Sequence, residues 1–196
     1  HVCMSVSFAS ARLDSWTSEK WSELTASDLV AWTAAQWEAV PFDEIKKWSR
    51  DKLQVIPLDE IKVWSADQVK SLSAVQLGDL TSAQWGALSW DKIKDIAVDQ
   101  WAQVPADKIA ALSKAQLAEL MGSGATALDK VKGWGQAQWA ALPKEALKDF
   151  GKDAVAKLPV SAIAGLAKDQ FAAIPWQSLP AMTKEQWDAL PVDRLS

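Results

Sequence analysis

The sequence has very few of the side chains that metal centres and disulfides need. Its 196 residues include one Cys (Cys3) and one His (His1), with no Tyr and no Asn. With these two residues near the N-terminus, no His/Cys metal cage and no intrachain disulfide can form, and a Ser-His-Asp or Cys-His site would need His1 itself. Without Asn there is no acceptor for N-glycosylation. We expect Cys3 to be an inert or packed thiol.

Charge and hydropathy exclude further classes of partner. The formal net charge is −4, and the 21 basic residues are dispersed among 25 acidic ones, whereas phosphate binding needs concentrated Lys and Arg. No apolar run approaches the roughly 18 residues of a membrane span. We therefore expect no nucleic acid and no transmembrane segment, and peripheral membrane association stays open. The first residue is not Met, which favours a processed, secreted or organellar protein over a cytoplasmic one.

What the sequence has instead is an eight-residue repeat. From Phe8 the chain divides into 14 octads that end at Glu119, and the register resumes at Trp134 for 8 more. In all 22 octads, positions 1 and 6 are large apolar residues, and position 2 is Ser or Thr in 10 and Pro in 7. One long helix is excluded, because eight residues leave about 80° of drift per repeat and the prolines would break it. Strand alternation is excluded because the apolar spacing is five, then three.

Each octad is predicted to contain one short helix. Ser or Thr at position 2 becomes the N-cap, and Gln or Glu at position 5 becomes the third helical residue of a capping box, as in Thr33 with Gln36 and Ser65 with Gln68. Positions 1 and 6 are then the two partners of a hydrophobic staple. Where Pro replaces the hydroxyl residue, as at Pro41, we expect it at the helix start, close to the first helical position. Helices this short are marginal alone, so we expect them to stack.

A second period of 16 residues indicates how the helices stack. It is carried by Trp16, Trp32, Trp48 and Trp64, and again by Pro143, Pro159, Pro175 and Pro191. We predict an all-α solenoid, or superhelix, with about two octads per layer; three octads per turn is the alternative. Residues 1–7 are an off-frame segment, 8–120 a first octad array, 121–133 a loop or hinge insertion and 134–196 a second array. We expect one continuous solenoid, and two arrays that flex about the insertion are the alternative.

The recurring unit resembles two groups of repeat proteins. It reads Leu80-Thr81-Ser82-Ala83-Gln84-Trp85 in one octad and Met182-Thr183-Lys184-Glu185-Gln186-Trp187 in another. It is similar to the short-helix units of the mesothelin, stereocilin and otoancorin family, and to the LTTAQ-type octads of large bacterial and algal proteins. The chain departs from both in using Trp where they use Leu. The resemblance implies a solenoid with structural, adhesive or interaction roles, and it brings no catalytic residues.

The 13 tryptophans invite a binding role, but the octad frame assigns most of them to the core. Eleven occupy position 1 or 6, where large side chains bury the area that short helices need. The exceptions, Trp90 and Trp176, are at position 3 and belong to a candidate partner-binding stripe spaced in steps of 16 residues. One interpretation of the stripe is a secondary packing row, and the other is an exposed surface that docks a partner. Its members are Phe42, Leu58, Trp90, Val160, Trp176 and Val192.

The sequence favours a non-enzymatic structural or linking subunit of a larger assembly, bound to other protein subunits through its surface. The acidic residues are dispersed along the first turns of the helices, so no carboxylate pair converges for acid–base chemistry, and we expect no cofactor and no metal. One alternative is the extracellular adhesion module that the mesothelin resemblance implies. Another is a carrier of a hydrophobic ligand, such as a lipid or a pigment, which would need a sizeable pocket between the side chains at positions 1 and 6.

Overall fold

The computed structural model describes residues 13–191, and this part of the chain is helical throughout, with no strand. Three short 3-10 helices span Leu13–Ser15, Gly124–Thr126 and Leu179–Ala181. The α-helices, of four to eight residues each, are α1 Ser18–Glu23, α2 Ala26–Val30, α3 Ala34–Glu38, α4 Phe42–Ile45, α5 Arg50–Gln54, α6 Leu58–Val63, α7 Ala66–Ser71, α8 Ala74–Asp79, α9 Ser82–Ala87, α10 Trp90–Ile93, α11 Val98–Trp101, α12 Ala106–Ala110, α13 Lys114–Met121, α14 Gln136–Ala140, α15 Lys144–Leu147, α16 Lys152–Lys157, α17 Val160–Gly165, α18 Lys168–Phe171 and α19 Lys184–Asp188.

The predicted capping boxes are confirmed. The Thr33 hydroxyl accepts a hydrogen bond from the Gln36 backbone N–H, and the Gln36 side chain accepts one from the Thr33 backbone N–H at 2.8 Å. Ser65 and Gln68 form the same pair at the start of α7. Each cap residue has extended backbone, for example φ −78° and ψ 163° at Ser65. The chain therefore leaves the helical conformation at every position 2 and starts a new helix immediately after it.

The prolines lie one residue earlier than expected. Pro41, Pro57 and Pro105 are the N-cap residues of α4, α6 and α12, and the first helical residue follows each of them. Their φ angles near −60° suit the extended cap as well as the first helical position, because proline fixes φ and both sites tolerate that value. Proline thus occupies the same slot as Ser and Thr, without a side-chain hydrogen bond.

The expectation of about two octads per layer is wrong, because the helices that pack against each other are three octads apart. Contacts join α5 to α8, α6 to α9, α7 to α10, α8 to α11, α14 to α17 and α15 to α18. In the first of these pairs the helices start at Arg50 and Ala74, which are 24 residues apart. The 16-residue alternation is therefore one of residue type within equivalent core slots. Any large apolar side chain fills such a slot, so the alternation does not report the layer.

The interruption after residue 120 is one octad lengthened by six residues. Helix α13 continues through Met121, and the extra residues form the 3-10 helix at Gly124–Thr126 and the turns that follow it. Helix α12 contacts α14 and α13 contacts α15 across this segment, and these helix pairs start 30 residues apart instead of 24. Leu128, Val131 and Trp134 are buried, as their helical spacing suggests. The two octad arrays therefore pack against each other on both sides of the insertion.

Positions 1 and 6 of the octads form the core. Every position-6 residue from Leu13 to Phe171 is buried, and so are all position-1 residues between Leu24 and Leu190 except the half-buried Val40 and Leu112. Of the 11 tryptophans assigned to core slots, nine are buried, while Trp16 is half-buried and Trp187 is 41% exposed. Edge-to-face ring pairs, such as Trp32 with Trp37 at 5.5 Å, fill the interior at the N-terminal end.

Candidate functional site

The candidate partner-binding stripe divides into exposed and packed members. Leu58, Val160 and Trp176 are exposed, with 42%, 47% and 75% of their surfaces accessible. An exposed Trp is the more informative of these, because a large aromatic side chain in water loses the burial that usually stabilises it. These three residues are available to a partner.

Phe42 and Trp90 are packed instead. The Phe42 ring lies 5.2 Å from that of Trp64 at an interplanar angle of 86°. The Trp90 indole Nε1 donates a hydrogen bond of 2.9 Å to Glu119, and its ring lies 6.1 Å from that of Trp101. Both side chains are half-buried, which matches the packing interpretation of the stripe. Val192 lies outside the described residues.

The structure does not line these residues up. Their alignment depended on a layer of two octads, whereas contacting helices are three octads apart. Residues 16 positions apart along the chain therefore begin helices that do not stack directly on one another. Leu58 and Val160 also lie at opposite ends of the described chain. The stripe is thus a set of separate surface positions.

The C-terminal end carries the densest group of exposed apolar side chains, formed by Val160, Trp176 and Trp187. Helix α17, which starts at Val160, contacts α19, which contains Trp187, and Trp176 lies in the segment between them. Trp187 occupies position 6, a core slot that is buried in every octad up to Phe171, and yet it is 41% exposed. We call Val160, Trp176 and Trp187 the C-terminal apolar surface.

Buried glutamines at position 5 join helices that are far apart in sequence. The side-chain nitrogen of Gln84 donates to the carbonyls of Leu53 and Ile56, and that of Gln186 donates to Val155 and Leu158, at 2.6–3.0 Å. The sequence assigned these glutamines to capping boxes alone. The recurrence of Gln at position 5, even where position 2 is Ala or Gly, was the available signal. We call this set the glutamine bridges: Gln84, Gln100, Gln138, Gln170 and Gln186.

A cleft of about 610 Å³ lies at the six-residue insertion, between α13 and the helices α15 and α16. We call it the insertion cleft. Two other clefts, beside Trp64 and beside Trp85, are smaller, at about 180 and 200 Å³. The sequence predicted a loop at this point but not a cleft, because the depth of the cleft depends on how far the lengthened octad holds the neighbouring helices apart.

Residues in unusual backbone conformations form one wall of this cleft. Gly122 and Gly124 have φ angles of +63° and +55°, and a Cβ atom on Gly122 would come within 3.0 Å of the Thr126 carbonyl oxygen. Leu128 has φ +62° although it is not glycine, and its N–H donates a hydrogen bond of 2.7 Å to the Met121 carbonyl. Burial of the Leu128 side chain, which is 2% exposed, offsets the cost of this conformation.

The rim of the insertion cleft is acidic. Three carboxylates, Glu119, Asp149 and Asp153, line it together with one ammonium group, that of Lys114. Lys114 lies 3.1 Å from Asp149, and Glu119 accepts the hydrogen bond from Trp90. Asp91 and, more weakly, Glu119 raise the pKa of the nearby Lys94. The field at this rim therefore favours a positive charge.

The described part of the chain places no three His, Cys, Asp or Glu side chains where they could hold a metal ion. Within residues 13–191, no helix is long and apolar enough to cross a membrane, in agreement with the expected lack of a transmembrane segment. Comparison of the chain with protein-family models, with curated proteins and with solved structures gives no match.

Proposed function

We propose that this protein is a non-enzymatic structural subunit whose octads continue as one superhelix, with three octads per turn, and which binds another protein subunit through its C-terminal apolar surface. The observation that carries the proposal is Trp187. It occupies a slot that is buried in every octad from Leu13 to Phe171, and it is left 41% exposed.

A rigid body suits a linking role. The interior slots are filled with large side chains, and the glutamine bridges fasten each bridged helix to carbonyls about 30 residues earlier in the chain. Such bonds resist bending, because separating two stacked helices would leave buried polar groups unpaired. A stiff stack of short helices holds its two ends at a fixed distance, which is what a spacer between other subunits requires.

The C-terminal apolar surface has the composition of a binding hot spot. Trp is enriched among the residues that dominate protein–protein affinity, and Trp176 and Trp187 are both accessible, with Val160 on a helix that contacts α19. Lys184, Glu185 and Asp188, which belong to α19, are exposed. An apolar centre with a charged edge is the arrangement expected of an interface between subunits.

The proposal is tested with Trp176→Glu and Trp187→Glu in the native complex purified from its source. We expect either substitution to reduce the recovery of a stoichiometric partner subunit at least about tenfold, because truncation at a Trp hot spot costs about 2 kcal/mol or more. Val75→Glu is the matched control. Val75 is 72% exposed and lies in α8, outside the C-terminal apolar surface, so this variant should keep the partner.

Helicity is measured for all three variants by far-UV circular dichroism, and it should be unchanged, since the substituted side chains are accessible. If both Trp variants retain every partner at the same stoichiometry as the Val75→Glu control, the binding role assigned to this surface is wrong.

A further inference from the structure

We propose that the insertion cleft binds a small organic cation with an apolar body, such as a hydrophobic amine. This site is separate from the C-terminal apolar surface and does not depend on the proposed structural role. Its volume of about 610 Å³ falls within the roughly 300–1,000 Å³ of pockets that hold small organic ligands.

The interior of the cleft fits an apolar body. Leu117, Met121 and Phe150 form its base and are themselves buried in the core. Small residues on its walls, including Ala118 and Ala146, leave the space open. A flat or slender hydrocarbon group placed here would exchange water for contact with these side chains, and this transfer is favourable in proportion to the apolar area covered.

The rim selects the charge. The Lys114 ammonium is already paired with Asp149 at 3.1 Å, so it offers little to a bound anion. Asp153 forms no ion pair in the described part of the chain, and it lines the same cleft. A ligand ammonium near Asp153 gains a charge partner, whereas a ligand carboxylate would face an excess of negative charge. Complementarity therefore favours the cation over a neutral or anionic analogue.

Methionine methyl groups give a direct readout of binding. The sequence contains three Met residues; Met121 lines the insertion cleft, and Met182 lies in the core near the C-terminal end. We would label the methionine methyl groups of the full chain with ¹³C and titrate it with 2-naphthylmethylamine, which is cationic at neutral pH. The neutral analogue is 2-naphthylmethanol, and the anionic analogue is 2-naphthoate.

We expect the amine to shift the Met121 signal saturably and to leave the Met182 signal in place. It should bind about three to ten times more tightly than the alcohol, as one partly exposed charge pair allows, and the carboxylate should bind more weakly than the alcohol. No saturable shift at Met121, or equal affinity for the three compounds, would overturn the proposal.

A matched pair of substitutions locates the charge. Asp153→Asn should lower the affinity for the amine about threefold or more and leave that for the alcohol unchanged, because only the amine uses the carboxylate. Asp99→Asn is the control: Asp99 holds the same octad position at the start of α11 and lies outside the cleft, so the affinity for the amine should not change. An equal effect of the two substitutions on the affinity for the amine would contradict the assignment.

Ala146→Leu tests the apolar body independently of charge. Ala146 is a half-buried residue of the cleft wall, and the larger side chain extends into the space that the naphthyl ring would occupy. We expect binding of both the amine and the alcohol to be lost while the circular dichroism spectrum stays the same. Unchanged binding of both compounds by this folded variant would place the ligand elsewhere and refute the site.

Discussion

The side-chain amide of Gln84 donates a hydrogen bond of 2.8 Å to the backbone carbonyl of Leu53, 31 residues earlier in the chain. The same nitrogen donates to Ile56, and the amide oxygen accepts from the backbone N–H of Thr81 at 2.9 Å. One side chain thus starts helix α9 and also holds it against the end of α5. Because Gln84 is 1% exposed, these bonds form away from water, where an unpaired group is costly.

A change of amide to carboxylate separates the two roles of this position. Gln84→Glu keeps an oxygen for the Thr81 N–H but loses the donor, so a buried carboxylate would face the Leu53 and Ile56 carbonyls. We expect the free energy of unfolding to fall by about 2–4 kcal/mol, the range for an unsatisfied buried group that also carries charge. Urea unfolding at neutral pH measures this loss.

Gln68→Glu is the control for that substitution. Gln68 forms the capping box with Ser65 and is only half-buried. Glu is equally suited to a capping box and favours the positive end of the helix dipole, so the free energy of unfolding should stay within about 0.5 kcal/mol. Equal losses at the two positions would mean that the bonds to Leu53 and Ile56 contribute nothing beyond capping.

Local chemistry explains why part of the fold was predictable from the sequence. The helix starts at Thr33 and Ser65, and the burial of residues such as Trp101 and Ile109, follow from rules that act within eight residues: capping, staple spacing and apolar periodicity. These rules agree with one another in each octad, so the all-helical class, the helix positions and the core slots were set by sequence pattern.

The stacking distance and the site were not predictable in the same way. Whether α5 meets α7 or α8 depends on small rotations accumulated over several caps, and no single octad encodes that sum. The glutamine bridge from Gln84 to Leu53 follows from the three-octad spacing and could not be seen before it. The insertion cleft likewise depends on how the wall at Gly122 and Leu128 is held, which residue spacing does not specify.

Two buried tryptophans differ in one hydrogen bond. Trp85 Nε1 donates to the Leu77 carbonyl at 3.1 Å, whereas Trp101 Nε1 is buried with no acceptor. Both side chains are at most 2% exposed. Replacing either by Phe removes similar volume, so we expect Trp85→Phe to cost about 1 kcal/mol more than Trp101→Phe, which is the net value of a typical hydrogen bond.

Thermal and urea unfolding of the two Phe variants give this difference directly. The Trp101 ring also lies 6.1 Å from that of Trp90, and Phe retains an aromatic ring to make this contact. A larger loss at Trp101 than at Trp85 would show that the unpaired indole N–H is no disadvantage and that ring packing decides the energetics.

Gly122 is required by its backbone conformation. Its φ of +63° and ψ of −168° belong to a region that residues with a Cβ atom almost never adopt, and the new Cβ would lie 3.0 Å from the Thr126 carbonyl oxygen. We expect Gly122→Ala to lower the free energy of unfolding by about 1–3 kcal/mol. Gly151→Ala is the control, because Gly151 has φ −79° with no atom near its added Cβ, and its effect should stay within about 0.5 kcal/mol. If the two alanine variants are equally stable, the conformation at Gly122 is not the source of strain.

Acidification should weaken the capping box at the start of α2. The Thr25 hydroxyl and then the Thr25 backbone N–H donate hydrogen bonds to Asp28, at 2.6 and 2.8 Å, and hold the pKa of its carboxyl below the ordinary value. A lowered pKa in the folded state means that this stabilisation is complete above the ordinary Asp pKa of about 4 and is lost as the pH falls through the lower, folded-state value. Asp28→Asn, which does not titrate, should therefore be less stable than the wild-type protein at neutral pH, with a gap that narrows below about pH 4. Urea unfolding of both proteins at neutral and acidic pH measures the gap, and a gap that stays constant over this range would show that the carboxylate is not responsible.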